Sequence, residues 1–314
     1  MEIMEFCNKV KRNMMAYVGE ETEIDVKRIT KNNGIVLHSI IITEKEKNIS
    51  PNIYLDDLYE AYEKGETFRT VMEEILQIYK DSKMKKNIDM SFFLDYDCMK
   101  DQVVFKVISY EKNKELLLHV PYIPFLDLAI VFYCHVPRKE FGCATILIYN
   151  NHLKMWKITK ERLFQDAERN TERIMPARIL SIEDMMREIF VQDLGGGSSE
   201  EQIKEDGLFS VEEKKLREDG RMYVLGNDQK LFGAASMLYK GLLERIAEKI
   251  GKNLFILPSS IHEVILVPDN EEMEAHELWE MVCEINATQV APEEVLTDSV
   301  YYFSRKCRKI EKLF

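Results

Sequence analysis

The segment LPSSIHEVILVPD, residues 257–269, contains the residue types that nucleophilic catalysis requires. A hydroxyl, an imidazole and a carboxylate fall within five positions, at Ser259, Ser260, His262 and Glu263. Alternate residues of a strand share a face, so Ser260 and His262 are expected on one face and Glu263 on the other. A Ser–His–acid relay needs an acid on the far nitrogen of the imidazole, which this spacing does not supply locally. A Pro-Ser-Ser turn before an edge strand is therefore favoured, and a hydrolase site remains the alternative.

Two asparagines are further candidates for binding a ligand. Asn170 follows the helical segment KERLFQDAER and fits a helix C-cap or turn. Asn227 lies in Gly-Asn-Asp, which fits a tight turn before a helix. Each of them, like Ser259, could instead hydrogen-bond a ligand, but turn chemistry is the favoured interpretation.

The chain has one glycine run, in VQDLGGGSSEEQ at residues 191–202. A phosphate-binding P-loop follows a strand and places a lysine beside its last glycine, so that backbone N–H groups and the amine converge on phosphate. This run follows a predicted helix, has no such lysine and leads into Glu200 and Glu201, which would repel a phosphate. The run is therefore interpreted as a flexible join, and no cofactor is expected.

The histidines do not form a metal-binding pattern. A zincin site needs His-Glu followed by a second histidine four positions after the first. His262 and His276 each begin this pattern, but Leu266 and Glu280 occupy the place of the second histidine. Cys134, His135 and Cys143 lie in an apolar, strand-rich region, where a buried cysteine is better explained as a small hydrophobic residue. No metal site is predicted.

Composition limits the class of partner. The 314 residues include 43 Lys and Arg against 55 Asp and Glu, a net charge of −12. Such a surface repels nucleic acids and anionic membranes and suits a basic protein partner. Six scattered cysteines without a C-x-x-C pair indicate reduced thiols, and the N-terminus lacks the apolar core of a signal peptide. A soluble, cytoplasmic protein that binds neither nucleic acid nor membrane is expected.

The elements that must position these residues include both helices and strands. KNNG predicts a hairpin turn between two β-branched runs, and Gly65 and Thr67 predict the end of one helix and the start of the next. Three strands follow in the middle third, and a long helix is expected from about Phe232 to Ile250. No strand–helix–strand rhythm persists, which indicates an α+β fold with mostly antiparallel sheets in two or three subdomains. The predicted boundaries are 1–90, 91–190, a flexible acidic linker or insertion at 191–220, and 221–314.

Several segments carry a resemblance to a known family. They include PNIYLDDLYEAYEKGE, VPYIPFLDLAIVF, ITKERLFQDAERNT, FGAASMLY, LPSSIHEVILVPD and INATQVAPEEVLTDSVYYF. Over nearly its full length the chain resembles an uncharacterised bacterial family from anaerobic gut Firmicutes, known as a domain of unknown function. The resemblance implies a bacterial cytoplasmic accessory protein and implies no catalytic residue.

The leading functional hypothesis is a non-enzymatic interaction or regulatory factor, of an accessory or immunity type, that binds a protein. It depends on two features of the sequence. Apolar residues recur at the spacing of a packed core, and no recognisable set of catalytic residues is found. Two alternatives stay open: a hydrolase-like enzyme using Ser260 and His262, and a small-ligand sensor with a cleft between the middle and last domains.

Overall fold

The computed structural model describes most of the chain, as two compact units, Met1–Phe92 and Phe93–Phe314. The described residues are 1–18, 22–45, 47–48, 50–82, 91–138, 142–193, 222–271 and 274–314. Helices and three mostly antiparallel sheets confirm the predicted α+β class. The glycine run and nearly all of the predicted linker at 191–220 lie outside the described residues. No helix in the described ranges is long and apolar enough to cross a membrane.

The first unit packs three helices against a three-stranded antiparallel sheet. The helices are α1 (Ile3–Met14), α2 (Asp56–Glu63) and α3 (Phe68–Ser82), and the strands are β1 (Thr22–Thr30), β2 (Val36–Glu44) and β3 (Asn52–Tyr54). Asn33 and Gly34 take φ of 60° and 71°, which confirms the predicted hairpin. The Thr67 hydroxyl accepts the N–H of Thr70 at 3.2 Å, which confirms the predicted helix start.

The second unit contains two antiparallel sheets and seven helices among its described residues. The four-stranded sheet is built from β4 (Val103–Ser109), β5 (Tyr122–Phe125), β6 (Leu128–Arg138) and β7 (Gly142–Leu147). The six-stranded sheet is built from β8 (Ala177–Ser181), β9 (Tyr223–Asn227), β10 (Leu254–Leu257), β11 (Val264–Pro268), β12 (Tyr301–Ser304) and β13 (Lys309–Lys312). The helices are α4 (Tyr96–Met99), α5 (Lys114–Leu117), α6 (Asn150–Trp156), α7 (Lys160–Ile174), α8 (Ile182–Asp193), α9 (Leu242–Ile250) and α10 (Ala275–Thr288).

The order of the six-stranded sheet is β13-β12-β10-β11-β9-β8, so strands from both sides of residues 191–220 pair with each other. Strand β8 precedes that segment and pairs antiparallel with β9, which follows it. The unit boundary falls at residues 92 and 93, close to the predicted boundary at 90. The predicted linker at 191–220 stays a prediction, because residues 194–221 lie outside the described part of the chain.

The long helix predicted from Phe232 to Ile250 is wrong. Gly233–Leu238 form a 3-10 helix, and only Leu242–Ile250 are α-helical. Phe232 and Gly241 have φ of 54° and 70°, and a left-handed residue cannot continue a right-handed helix. The predicted end at Gly251 is confirmed, with φ of 79°.

Helix α7 covers the outer edge of β4 with its own side chains. Asn170 lies inside this helix and is buried, so its predicted position as a C-cap or turn is wrong. Its amide donates to the carbonyl oxygens of Lys100 and Val103 at 2.7 and 3.0 Å. The Thr171 hydroxyl accepts the N–H of Phe105 at 3.0 Å. These bonds take the place of a neighbouring strand, because an edge strand leaves backbone groups unpaired.

Two carboxylates of this unit are held by several donors each. Asp166 on α7 is 2% exposed and accepts the Tyr96 hydroxyl at 2.8 Å and the guanidinium groups of Arg162 and Arg169. Asp127, in the turn between β5 and β6, accepts three hydroxyls at 2.5–2.8 Å and lies 3.5 Å from the Lys312 amine. The hydroxyls belong to Thr297, Ser299 and Tyr301. Both carboxylates therefore join segments distant in sequence.

Candidate functional site

The structure places Ser260 in a turn that pairs with a distant segment. The Ser260 hydroxyl accepts the backbone N–H of His262 at 3.0 Å, and Ser260 forms an isolated antiparallel bridge with Val295. The carbonyl of Ser259 accepts the N–H of Leu296 at 2.9 Å. None of the hydrogen bonds between described residues joins the Ser260 hydroxyl to the imidazole of His262. The two residues are close in space but are not arranged as a nucleophile and its base.

Both ring nitrogens of His262 face other groups. Nδ1 accepts the N–H of Phe232 at 3.3 Å, so Nδ1 carries the lone pair and the proton lies on Nε2. Nε2 faces the carboxylate of Glu294 at 3.4 Å. A general base must keep a nitrogen within reach of the proton that it removes. In this arrangement one nitrogen contacts the Phe232 N–H and the other contacts the Glu294 carboxylate, so neither nitrogen is free for Ser260.

Glu263 is partly buried. Burial raises the pKa of its carboxyl, while the neighbouring His262 and Lys230 oppose that shift. No ion pair joins Glu263 to another residue within the described part of the chain. Glu263, which was predicted to point away from the face of Ser260 and His262, is thus not the carboxylate beside the imidazole. That carboxylate belongs to Glu294.

Asn227 forms hydrogen bonds to the loop of residues 228–232, here called the Phe232 loop. Its amide donates to the carbonyl of Leu231 at 2.8 Å, and its carbonyl accepts the N–H of Leu231 at 3.3 Å. Asn227 is the last residue of β9 and is buried, so the predicted turn follows it directly. The reciprocal pair satisfies the Asn227 amide group within the protein. Asn227 and His262 therefore meet at one loop, whereas Asn170 lies on α7.

The Phe232 loop is tightly packed and strained. Lys230 and Phe232 have φ of 51° and 54°, a region that large side chains rarely adopt. At Gly233 an added Cβ would lie 2.4 Å from the carbonyl oxygen of His262, so only glycine fits beside this turn. Strain of this kind persists only where the surroundings fix the conformation. Here the Asn227 and His262 contacts hold the loop, and the aromatic ring of Phe232 has a fixed position.

A lysine that sequence reasoning missed lies on that ring. Lys106, in the middle of β4, places its amine 4.0 Å from the centroid of the Phe232 ring. The residue is partly exposed, between strand neighbours that are buried. The signal in the sequence was a single lysine inside the apolar run VVFKVIS. The aromatic partner could not be read from the run, because it lies 126 positions further along the chain.

A second feature that the sequence analysis did not identify is an exposed apolar surface around helix α6. It consists of Leu94, Leu118, Tyr149 and Met155, here called the α6 surface. Leu118 and Leu94 are 70% and 66% exposed. Helix α6 has seven residues and is therefore about 10 Å long, and the segments of Leu118 and Leu94 are bonded to its first and last residues. The signal in the sequence was the leucine triplet at 116–118, of which only Leu117 is buried.

Hydrogen bonds and ring contacts fix the backbone that carries the α6 surface. The Asn150 amide donates to the carbonyl of Leu118 at 3.2 Å. The indole of Trp156 donates to the carbonyl of Phe93, next to Leu94, at 2.9 Å. The rings of Phe93, His152 and Trp156 pack against one another with centroids 5.0–5.4 Å apart. The backbone at Leu118 and beside Leu94 is thus held by an exposed and a buried hydrogen bond, respectively.

Metal binding has no support in the described regions of the chain, where no group of three or more His, Cys, Asp and Glu side chains is placed to hold an ion. The buried imidazole of His135 makes no hydrogen bond with a described residue, and burial lowers its pKa. One isolated imidazole does not form a metal site.

Comparison with known proteins identifies a family but no activity. A family model described as a family of unknown function (DUF5688) matches residues 3–305 of the 314. No curated protein and no solved structure gives a significant match to this chain. The resemblance to a domain of unknown function over nearly the full length is therefore confirmed. The chain belongs to DUF5688, a family of unknown function.

Proposed function

We propose that this protein is a non-enzymatic interaction factor of the bacterial cytoplasm that binds a protein partner through the α6 surface. The observation that carries the proposal is the fixed exposure of Leu94 and Leu118 beside an aromatic cluster. Clustered exposed apolar side chains are typical of surfaces that bind proteins. The candidate catalytic residues support a non-enzymatic role, because Ser260 and His262 are hydrogen-bonded to backbone groups of the fold.

The charge around the α6 surface defines the partner's chemistry. Lys154, Lys157 and Lys160 are exposed and make no ion pair with a described residue. These three lysines are here called the lysine rim. The net charge of −12 by itself suggests a basic partner, but the charge of the rim is positive. Complementary charge favours specific and fast association. The partner is therefore an acidic, amphipathic protein segment whose apolar side chains cover the leucines.

The cytoplasmic location is supported by the cysteines. Five of the six cysteines are free thiols, at Cys7, Cys98, Cys134, Cys283 and Cys307. Disulfides form in oxidising compartments, and free cysteines are usual in the reducing cytoplasm. A regulatory or immunity-type role fits a small cytoplasmic binding protein.

A pair of charge substitutions tests this proposal. Leu118→Glu places a carboxylate in the α6 surface, and Met186→Glu makes a comparable change at an exposed residue of α8. Affinity capture from the native host should recover a partner with the wild type and with Met186→Glu but not with Leu118→Glu. Binding should also weaken as salt concentration rises, because the lysine rim is exposed. If Leu118→Glu and Leu94→Glu both retain the wild-type partners, the α6 surface is not the binding site.

The hydrolase alternative makes a different prediction. A hydrolase using Ser260 would lose its activity in Ser260→Ala while keeping its fold. We expect the wild type and Ser260→Ala to be equally inactive in a broad ester and amide screen. An activity in the wild type that Ser260→Ala removes would overturn the non-enzymatic assignment.

A further inference from the structure

Three neighbouring loops at one end of the six-stranded sheet line a cavity of about 360 Å³. They are residues 251–253 before β10, residues 269–271 after β11, and residues 305–306 in the turn between β12 and β13. Strand β10 pairs antiparallel with both β11 and β12, so the start of β10 lies beside the ends of the other two. The topology of the sheet therefore brings the three loops together, within one unit. A cavity of this volume is typical of sites for small molecules.

Positive side chains predominate in the lining of this cavity. The lining contains the cations of Lys252, Arg305 and Lys306 and the carboxylates of Asp269 and Glu271. None of the three cations forms an ion pair with a residue in the described part of the chain. The lining thus has one more positive than negative charge, whereas the whole chain carries a net charge of −12. A local excess of cations on an acidic protein favours an anionic ligand at this place.

Two of the cations are held in place by other residues of the lining. The guanidinium of Arg305 donates to the carbonyl oxygen of Gly251, and the backbone N–H of Arg305 donates to the side-chain oxygen of Asn253 at 3.0 Å. The amine of Lys252 donates to the side-chain oxygen of Asn270. Each of these bonds joins two of the three loops, so both charges are positioned before a ligand binds. Such preorganisation reduces the entropy that binding costs.

The three cations retain donors that a ligand can use. A guanidinium group has five N–H donors and an ammonium group has three. The bonds to the Gly251 carbonyl and the Asn270 side chain each use one of these donors, so most remain available on Arg305 and Lys252. Lys306 makes no hydrogen bond with any described residue and keeps all of its donors. Guanidinium and ammonium groups are the usual protein partners of phosphate oxygens.

The two carboxylates of the lining oppose an anion only weakly. One oxygen of Asp269 accepts the Tyr302 hydroxyl at 2.6 Å, and the other accepts the backbone N–H of Glu271 at 3.0 Å. These donors offset part of the Asp269 charge. Glu271 is exposed, so water and salt screen its charge. The cations held between the loops therefore dominate the interaction with a ligand.

From this arrangement we propose that the cavity, here called the Arg305 cavity, binds the phosphate group of a small soluble phosphate monoester. At neutral pH such a group carries close to two negative charges and offers three acceptor oxygens, which suits three separate cations better than a carboxylate does. The volume leaves room for an organic group beside the phosphate. This site does not depend on the α6 surface, and its test requires no protein partner.

Calorimetric titration of the full chain with glycerol 2-phosphate, at pH 7.5 and constant ionic strength, measures this binding. The wild type should bind with a Kd of about 1 mM or tighter. Arg305→Gln removes a charged donor and should weaken binding about tenfold or more. Arg308→Gln is the matched control, because Arg308 lies in the same turn, pairs with Glu248 and is not part of the cavity lining. Its affinity should equal that of the wild type.

Lysine acetylation locates the bound phosphate without a variant. Saturating glycerol 2-phosphate should slow the acetylation of Lys252 and Lys306 by sulfo-NHS-acetate, as peptide mass spectrometry measures it. Acetylation of Lys154, which is exposed on α6, should keep its rate. This measurement tests the wild type and therefore decides the question even if Arg305→Gln fails to fold.

A vesicle experiment separates a soluble ligand from a lipid. Phosphatidylcholine vesicles that contain phosphatidic acid, whose headgroup is also a phosphate monoester, should not sediment the protein. Sedimentation that Arg305→Gln abolishes, without binding of glycerol 2-phosphate, would show that the cavity takes a lipid headgroup and would overturn the soluble ligand. Undetectable binding in both experiments, equal affinities of Arg305→Gln and the wild type, or equal protection of Lys154 and Lys252 would overturn the site itself.

Discussion

Asp166 and Lys106 are two ionisable side chains placed within the second unit, and they differ in what surrounds them. Asp166 accepts a tyrosine hydroxyl and two guanidinium groups and is almost completely buried. Lys106 has an aromatic ring and no opposite charge among the described residues. Removing a charge from water is costly unless partners compensate it. The compensated carboxylate is therefore part of the framework, whereas the uncompensated amine lowers stability.

The largest effect is expected at Asp166. Asp166→Ala leaves the buried Tyr96 hydroxyl and two exposed arginines without their acceptor and should lower the free energy of unfolding by ~3 kcal/mol. Urea unfolding followed by tryptophan fluorescence reports on this unit, because both tryptophans, Trp156 and Trp279, lie in it. Asp97→Ala is the matched control, since the ion pair of Asp97 with Lys100 is solvent-exposed, and it should change little. Equal losses in the two variants would refute the framework role of Asp166.

The opposite sign is expected at Lys106. Lys106→Met removes an uncompensated ammonium group and should raise the free energy of unfolding at pH 7 by roughly 2–3 kcal/mol. The folded state releases this proton near pH 8 and the unfolded state near pH 10.5, so wild-type stability rises with pH between these values. The advantage of Lys106→Met should therefore shrink as the pH rises from 8 to 10. A destabilised Lys106→Met at pH 7 would show that the amine has a partner.

Asn170 allows a similar comparison between a buried and an exposed hydrogen-bonding side chain, with an uncharged amide at the buried position. Asn170→Ala removes the donor from two buried carbonyl groups, at Lys100 and Val103, and should cost ~2 kcal/mol. Arg173→Ala, on the same helix, removes an exposed bond to the Asp101 carbonyl and a long bond of 3.3 Å to the Asn170 side-chain oxygen, and it should cost much less. Chemical denaturation of both variants under one condition measures the difference. Loss of the same size from both would mean that burial of these bonds is unimportant.

The smallest effect at neutral pH is expected at Asp127, where the informative variable is pH. Burial by itself raises the pKa of this carboxyl, but three hydroxyl donors and the Lys312 charge outweigh it, so the pKa lies below its usual value. A lowered pKa contributes stability above the unfolded value, and that contribution is lost as pH falls through the folded value. Asp127→Asn should cost about 1 kcal/mol at pH 7 and should flatten the loss of stability between about pH 5 and 2. Parallel acid profiles of the two proteins would contradict this assignment.

Local features of the fold were predictable from the sequence. The hairpin at Asn33 and Gly34, the helix start at Thr67 and the helix end at Gly251 each depend on a few neighbouring residues. The Ser181 hydroxyl likewise accepts the N–H of Asp184 at 3.1 Å, a contact typical of residues at capping-box spacing. Such signals survive folding because their partners lie within four positions.

Features that depend on distant partners were not predictable. Asn170 looks like a helix terminus locally, but its amide is satisfied by carbonyls about 70 positions earlier, so the helix continues. The helix expected from Phe232 breaks because His262 captures the Phe232 N–H and holds the residue at positive φ. The proximity of Ser260 and His262 was visible in the sequence, whereas the loop and Glu294, which the imidazole actually contacts, were not.

The side chains of α7 on strand β4 have a consequence for how the molecule behaves at high concentration. The N–H of Phe105 and the carbonyl of Val103, on the outer edge of the sheet, are bonded to Thr171 and Asn170. A second copy of the chain cannot add a strand along these residues without first displacing the helix. Open strand edges are templates for aggregation and for domain swapping. Helix α7 thus protects an apolar sheet from growing by addition of further molecules.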